Sequence, residues 1–285
     1  MSKSFSHLTE QQNNLMVVDA LNLCFRWKHR GAADFAEDYM RTVKSLQKSY
    51  KAKWVIIAAD QGSSSYRKAL YPEYKQNRKD KFATQTEAEK LEFQLFFEDY
   101  EKSLELIRSS TPFPVIRFPG TEADDIAAYI ASEVGKPGVY PVDHTWLISS
   151  DQDWDLMVGD KVSRFSYVTR KEFTADNWDS HYAYTPEEFI SIKCLQGDTG
   201  DNVFGVEGIG PKRALELVRT YGSALDLVSE LPLASKLKYI QALNASKDRI
   251  LLNYQLMDLV SFCRDALGEN TTSIDVILNS YIKNE

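Results

Sequence analysis

Three short apolar runs in this chain each close on an aspartate. Residues 15–19 (LMVVD), 54–60 (WVIIAAD) and 145–151 (TWLISSD) are rich in β-branched and aromatic residues and end in Asp19, Asp60 and Asp151. A fourth run, 113–118 (FPVIRF), has the same character. Between the first two lies a stretch, residues 34–51, with apolar side chains at helical spacing: Phe35, Tyr39, Val43, Leu46 and Tyr50. Strands that alternate with helices predict an α/β fold, a mostly parallel central sheet flanked by helices. Ligand sites in such sheets lie at the carboxyl ends of the strands. Three aspartates far apart in sequence are therefore expected to be neighbours in space.

More acids join them. Glu122, Asp124 and Asp125 open an apolar, helix-like run over 121–134 (TEADDIAAYIASEV), in which Thr121 is expected to be the N-cap and Asp124 its capping-box partner. Asp153 follows Asp151 by two residues, a spacing that places both on one face of a strand. Asp198 and Asp201 lie in a Gly-rich turn. Any one of these has a bland explanation, since Asp bonds nearby backbone at strand ends and acids suit a first helical turn. Nine together do not, because clustered carboxylates repel and raise each other's pKa. Hard divalent cations, which prefer all-oxygen ligands, are the economical counter-charge, and paired ions of this kind serve phosphodiester cleavage.

The net charge of −7 argues against a nucleic-acid partner only until that cluster is set aside. Of 41 acids, removing the nine leaves 32, against 34 basic residues. Charge distribution therefore matters more than its sum. The 43% hydrophobic and 26% charged content is that of a soluble globular protein. No apolar run can span a bilayer, and the polar first fifteen residues lack a secretory signal, so a cytoplasmic location and no membrane partner are expected. Cys24, Cys194 and Cys263 are far apart and form neither a disulfide framework nor a zinc motif. No exposed apolar heptad is evident, and a monomer is expected.

Two further segments point to nucleic acid. The run Gly205-Val206-Glu207-Gly208-Ile209-Gly210-Pro211-Lys212-Arg213-Ala214 is a helix–hairpin–helix signature. Gly208 and Gly210 let backbone approach a ligand, Pro211 suits a first helical turn, and the free N–H groups there bind duplex phosphates. Lys212 and Arg213 add charge-assisted contacts. Residues 66–81 (YRKALYPEYKQNRKDK) carry six basic residues, two acids and three tyrosines, without a strong core pattern, and read as an exposed element. There Tyr74 is placed to stack on an unpaired base, and Lys75 or Arg78 to stabilise a scissile phosphate. Arg26, His29 and Arg30 form a weaker basic group, read as surface residues. A long charged helix is expected over 85–108, and from about residue 186 the pattern is helical throughout.

In this order the motifs resemble the flap endonuclease / 5′-3′ exonuclease family, most closely the small stand-alone enzymes of tailed bacteriophages. They are also similar to the 5′ nuclease domain of bacterial DNA polymerase I. The resemblance runs from about residue 14 to residue 260. It rests on Val18-Asp19 with Asn22-Leu23, Ala59-Asp60, Tyr74-Lys75-x-x-Arg78, Glu122-Ala123-Asp124-Asp125, Ser150-Asp151-x-Asp153, Gly197-Asp198-x-x-Asp201-Asn202 and the glycine hairpin. Ala20 stands where Gly is common.

The resemblance implies a PIN-like nuclease core over 1–185 with a helical arch at about 72–105, and a helical DNA-binding region over 186–285. It implies two divalent ions, Mg²⁺ or Mn²⁺. Asp60, Glu122, Asp124 and Asp151 would serve one, with Asp125 close by, and Asp153, Asp198 and Asp201 the other. Asp19 would act through water, and Lys75 and Arg78 would face the scissile phosphate. A 5′ single strand would thread the arch. Tyr74, Lys193, Gly208, Gly210, Lys212 and Arg213 are expected to contact DNA, with a potassium ion at the hairpin. The implied activity is cleavage of DNA near single-strand/double-strand junctions, in replication and repair. A related ribonuclease, a non-catalytic DNA-binding module and a catalytically dead paralogue are the competing readings.

Overall fold

The computed structural model describes residues 12–283. The polar start of the chain, read above for targeting signals, falls outside this range up to residue 11. Strands β1 (Gln12–Asp19), β2 (Ala52–Ala58), β3 (Val115–Ile116), β4 (His144–Ile148), β5 (Val162–Ser166) and β6 (Lys171–Phe173) form one sheet. Its order is β3-β2-β1-β4-β5-β6, parallel except for the antiparallel edge strand β6. β1 and β2 are apolar on both faces, as strands covered by helices on each side must be. The strand order reverses beside β1: β2 lies on one side, and β4, reached by a long crossover, on the other. In register, Asp19 pairs with Ala58 of β2, and Val18 with Ile148 of β4. The carboxyl ends of three strands thus meet at the switch point, where α/β sheets place their ligands.

One face of the sheet is covered by α1 (Ala20–Lys28), α2 (Ala36–Ser49) and the later turns of α5 (Glu87–Ser110), around Leu23, Tyr39, Tyr100 and Leu104. The other is covered by α6 (Ala123–Val134), α12 (Leu259–Leu267) and α13 (Asn270–Ile282), around Ile126, Ile130, Cys263, Ile274 and Leu278. The last two helices of the chain therefore belong to the same core as the sheet. A separate core is built by α7 (Pro186–Gln196), α8 (Pro211–Tyr221), α9 (Ala224–Ser229), α10 (Lys238–Asn244) and α11 (Lys247–Met257).

Between β2 and α5 lie α3 (Ser65–Leu70) and α4 (Gln76–Ala83), and the two-residue strands β7 (Gly197–Asp198) and β8 (Val203–Phe204) form a ribbon after α7. Local chemistry sets several helix starts. Thr86 with Glu89, and Thr185 with Glu188, form capping boxes, and Pro186 and Pro211 occupy first turns. No helix among the described residues is long and apolar enough to cross a membrane.

Candidate active site

Asp19 ends β1 and caps α1. Its Oδ1 accepts the Asn22 N–H at 3.1 Å, and its Oδ2 the Ser149 hydroxyl at 2.8 Å, so β1 and the end of β4 share one carboxylate. Asp60, two residues beyond β2, accepts the Ala123 N–H at 3.0 Å. It thereby caps the first turn of α6 from a distant segment. The capping box expected from Thr121 and Asp124 does not form: Thr121 bridges to Gln61, and Glu122 is the N-cap. Asp124 instead accepts the Trp154 indole N–H at 2.6 Å.

β4 stops at Ile148, so Asp151 and Asp153 do not share a strand face. Asp151 caps a short 3-10 helix, Gln152–Met157, and its Oδ1 accepts the Asp153 N–H at 2.9 Å. The carboxylate bonds local backbone and turns the chain. Asp198 does the same between β7 and β8, accepting the N–H groups of Gly200 and Asp201 at 2.8 and 3.3 Å.

These segments converge. Asp19, Asp60, Asp124, Asp151, Asp153, Asp198 and Asp201 line one cavity of about 320 Å³, with Lys75 and Arg78 on its wall. The electrostatics reflect that crowding. Burial pushes the carboxyls of Asp19 and Asp124 well above the usual range, and neighbouring carboxylates add to it, Asp60 for Asp19 and Asp151 for Asp124. Burial also raises Asp60, against the stabilising Ala123 N–H. Asp153 is pushed up to about 6 by burial, with the Lys193 ammonium opposing.

Cations from the protein answer part of the charge. The Lys75 ammonium lies 2.8 Å from Glu122 Oε1 and 3.7 Å from Asp201 Oδ2. Arg78 Nη2 lies 2.5 Å from Asp201 Oδ1. Lys193 pairs with Asp153 and stands 3.5 Å from Asp198. With the side chains so engaged, no three acidic, His or Cys groups among the described residues converge as a ready-formed cation cage. The donor set nevertheless fits hard divalent ions: it is all carboxylate and more acidic than its resident cations can neutralise.

Comparison with known proteins places this arrangement. The N-terminal resolvase-like domain of 5′-3′ exonuclease matches residues 14–189, and the C-terminal SAM fold of the same enzymes matches residues 184–273. The flap endonuclease of Escherichia phage T5 is 45% identical over 277 residues, 94% of this chain and 93% of that one. The chain belongs to the 5′-3′ exonuclease family. It is, accordingly, a metal-dependent 5′ nuclease. A 5′-3′ exonuclease of Buchnera aphidicola is 27% identical over 76% of this chain and 73% of its own. A crystal structure of the phage T5 flap endonuclease, as a pseudo-enzyme–product complex with DNA and metal ions, superposes with a TM-score of 0.85. It is 44% identical and covers 95% of this chain and 97% of that one.

For this 5′ nuclease three sequence expectations change. Asp125, expected close to a metal, is fully buried away from the cavity. Both its oxygens accept from Arg67, at 2.7 and 2.8 Å. Tyr74, expected to stack on a base, is also buried, and its hydroxyl donates to Glu122 Oε2 at 3.0 Å and Asp201 Oδ2 at 2.8 Å. Glu122 stands behind the cavity wall. Its oxygens are taken by Lys75, Tyr74 and the Ser64 N–H. Arg67, Ser149 and Trp154 hold three of the acids in place, and none of them carries a sequence signal of its own.

In the nuclease's hairpin, Ile209 is buried and Gly208 is left-handed at φ 75°. Gly210 caps α8, and a Cβ there would meet nothing within 4 Å. Lys212 is exposed. Arg213 is also exposed, but Nη1 donates to the Gly208 carbonyl at 2.6 Å and its guanidinium lies 4.6 Å over Tyr239. Lys193, expected to contact DNA, is only partly exposed and stands between Asp153 and Asp198. The segment expected to form the arch is helical: α4 buries nothing, and Phe82, Leu91, Leu95 and Phe97 are exposed, while Phe96, Tyr100, Leu104 and Ile107 join the core. Lys28 braces it, donating to Glu92 at 2.8 Å and lying 4.0 Å over the Phe93 ring.

Proposed function

We propose that this 5′ nuclease hydrolyses DNA phosphodiesters beside single-strand/double-strand junctions, removing 5′ flaps and 5′ ends. The observation that supports it is the cavity: seven aspartates from five separate segments, with the first residues of the arch, Lys75 and Arg78, as its cationic wall. Asp60, Asp124 and Asp151 would hold one divalent ion, Mg²⁺ or Mn²⁺, and Asp153, Asp198 and Asp201 a second. When bound, such ions supply neutralising charge and activation of water for in-line attack.

The chain's own groups do the rest. Lys75 and Arg78 bind the phosphate oxygens and stabilise charge as it develops there. Asp19, fixed by the Asn22 N–H and the Ser149 hydroxyl, orients water in the cavity. Glu122 acts through Lys75, holding its ammonium toward Asp201. An unpaired 5′ strand passes the arch over residues 72–105, where exposed Phe82, Leu91 and Leu95 offer faces to bases. The downstream duplex lies on Gly208, Gly210 and Lys212, its phosphate at the start of α8. A potassium ion at this hairpin would compete with the Arg213 guanidinium for the Gly208 carbonyl. We assign the nuclease core to residues up to about 185, completed by α12 and α13, and the duplex-binding region to the helices between them.

A labelled 5′-flap DNA and a matching RNA, each with and without Mg²⁺, test the reading. Mg²⁺-dependent release of the DNA flap is expected. Cleavage of the RNA alone would transfer the site to a ribonuclease, and cleavage of neither would end the assignment.

A further inference from the structure

One charged pair in the core is absorbed neither by the cavity nor by the hairpin. Arg67 is 2% exposed and Asp125 is wholly buried, and they meet in a two-pronged contact at 2.7 and 2.8 Å. The third guanidinium direction is also used: Nε donates at 2.7 Å to the carbonyl of Leu256, in the last turn of α11. That carbonyl is at the negative end of a helix, where a cation is favoured. On its other side Nη1 stands 3.5 Å from Glu122 Oε2. The Arg67 backbone N–H donates to the Ser64 hydroxyl at 3.2 Å, while the Ser64 N–H donates to Glu122 Oε1 at the same distance. One side chain thus joins α3, the start of α6 and the end of α11 around the carboxylate that holds Lys75.

We propose that Arg67 is a positioning residue for the Lys75–Glu122 pair, and that Asp125 is its counter-ion rather than a metal ligand. The planar fork is what the site requires, because a carboxylate met by both prongs leaves the remaining N–H to set a third partner. A lysine can satisfy Asp125 but not Asp125, Leu256 and Glu122 together at fixed angles. Asp125 cannot turn toward the cavity without abandoning a buried guanidinium, and uncompensated buried charge is strongly disfavoured. The inference rests on the proposed cleavage reaction, in which Lys75 contacts the phosphate.

Two variants test it in the full chain. Replacing both partners by apolar residues of similar size, Arg67→Met with Asp125→Leu, removes the pair without stranding a charge. Arg67→Lys keeps the charge and removes the fork. Single-turnover flap cleavage, flap-DNA Kd and the number of Mn²⁺ ions bound per chain by electron paramagnetic resonance are measured for each. At least a 10-fold fall in the cleavage rate is expected in both, with DNA Kd within 3-fold and the Mn²⁺ count of the parent. A purely structural pair would instead leave the rate of the folded protein unchanged, and that result overturns the proposal. Fewer Mn²⁺ ions in the double variant would make Asp125 a ligand and overturn it too. If the double variant does not fold, Arg67→Lys decides by its rate and Kd alone. Failure of the parent to cleave flap DNA would count against the cleavage reading, which the parent assay reports separately.

Discussion

The Lys75 ammonium lies 2.8 Å from Oε1 of Glu122, a carboxylate that is 2% exposed. Burial alone would lower a lysine's pKa, but Glu122 and then Asp201 outweigh it and hold Lys75 above the usual lysine range. The cation is therefore permanent across working pH. Lys75→Met should cost about 100-fold or more in the single-turnover rate, the scale for removing one preorganised stabiliser. DNA Kd should change by less than about 3-fold, since one phosphate contact among several is lost. A fall in rate matched by a comparable rise in Kd would move Lys75 from charge stabilisation to simple binding.

The raised carboxyls make a prediction about pH with a definite sign. Asp153 titrates at about 6 in the fold against an ordinary 3.8. Between those values the native protein holds more protons than the unfolded chain, so stability falls as pH rises through this window. Asp19, Asp60 and Asp124, raised mainly by burial, act in the same direction. In EDTA, Tm should be higher at pH 5.5 than at pH 7.5, and Asp153→Asn should shrink the difference. Mg²⁺ should reverse the trend, because it binds the ionised carboxylates of the native state and stabilises by about 2.7 kcal/mol at 100 times its Kd. Differential scanning calorimetry in four conditions decides this. A Tm that falls on acidification in EDTA would refute it.

Lys212 and Arg213, adjacent in sequence, should not behave alike. Lys212 is exposed and forms no ion pair among the described residues, whereas Arg213 holds the Gly208 carbonyl and stacks on Tyr239. Lys212→Ala should reduce the slope of log K against log salt by about 0.9, one phosphate's share, at unchanged Tm. Arg213→Ala should lower both duplex affinity and Tm, because it also unties the hairpin. Fluorescence anisotropy with a labelled duplex at several salt concentrations, beside thermal melts, separates the two. Equal Tm in both variants would remove the structural role of Arg213.

How much of this was legible follows from which residues speak locally. Asp19 and Asp60 were readable because a β-branched run ending in Asp is a local pattern, and parallel topology then brings strand ends together. The hairpin was readable because Gly-x-Gly-Pro is tied to one backbone shape. Asp151 and Asp153 line the cavity, but not through the strand alternation that their spacing suggests: β4 ends three residues earlier, and the pair sits in a 3-10 turn. The cap of α6 escapes a local pattern because Asp60 supplies it from 63 residues away. Arg67 and Tyr74 were hidden in a stretch whose charge and lack of periodicity suggested a solvated face. Their partners, Asp125 and Glu122, lie 58 and 48 residues on. Nothing in a one-dimensional pattern marks a cation as buried when its counter-ion is that distant.

The loop that carries Asp198 and Asp201 is held by absence of side chain. A Cβ on Gly205 would stand 2.1 Å from both the carbonyl carbon and oxygen of Gln196, and 2.7 Å from the Leu195 oxygen. All are backbone atoms, so no side chain can swing aside. The ribbon of β7 and β8 would have to lift from the end of α7. That breaks the Val206 N–H bond to Leu195 and strains the Asn253 amide, which donates to the carbonyls of Cys194 and Phe204 at 2.8 and 2.9 Å. Gly205→Ala should therefore destabilise by about 3 kcal/mol, the upper part of the overpacking range. It should also slow flap cleavage in the protein that remains folded, since Asp198 and Asp201 move with the ribbon. Gly210→Ala is the control. A Cβ there is in open space at φ −94°, so stability should change by less than about 0.5 kcal/mol. Urea unfolding of both variants, with cleavage measured at a temperature where each is folded, tests the contrast. Equal stability of the two would show that the ribbon yields, and that close backbone packing does not fix the second group of acids.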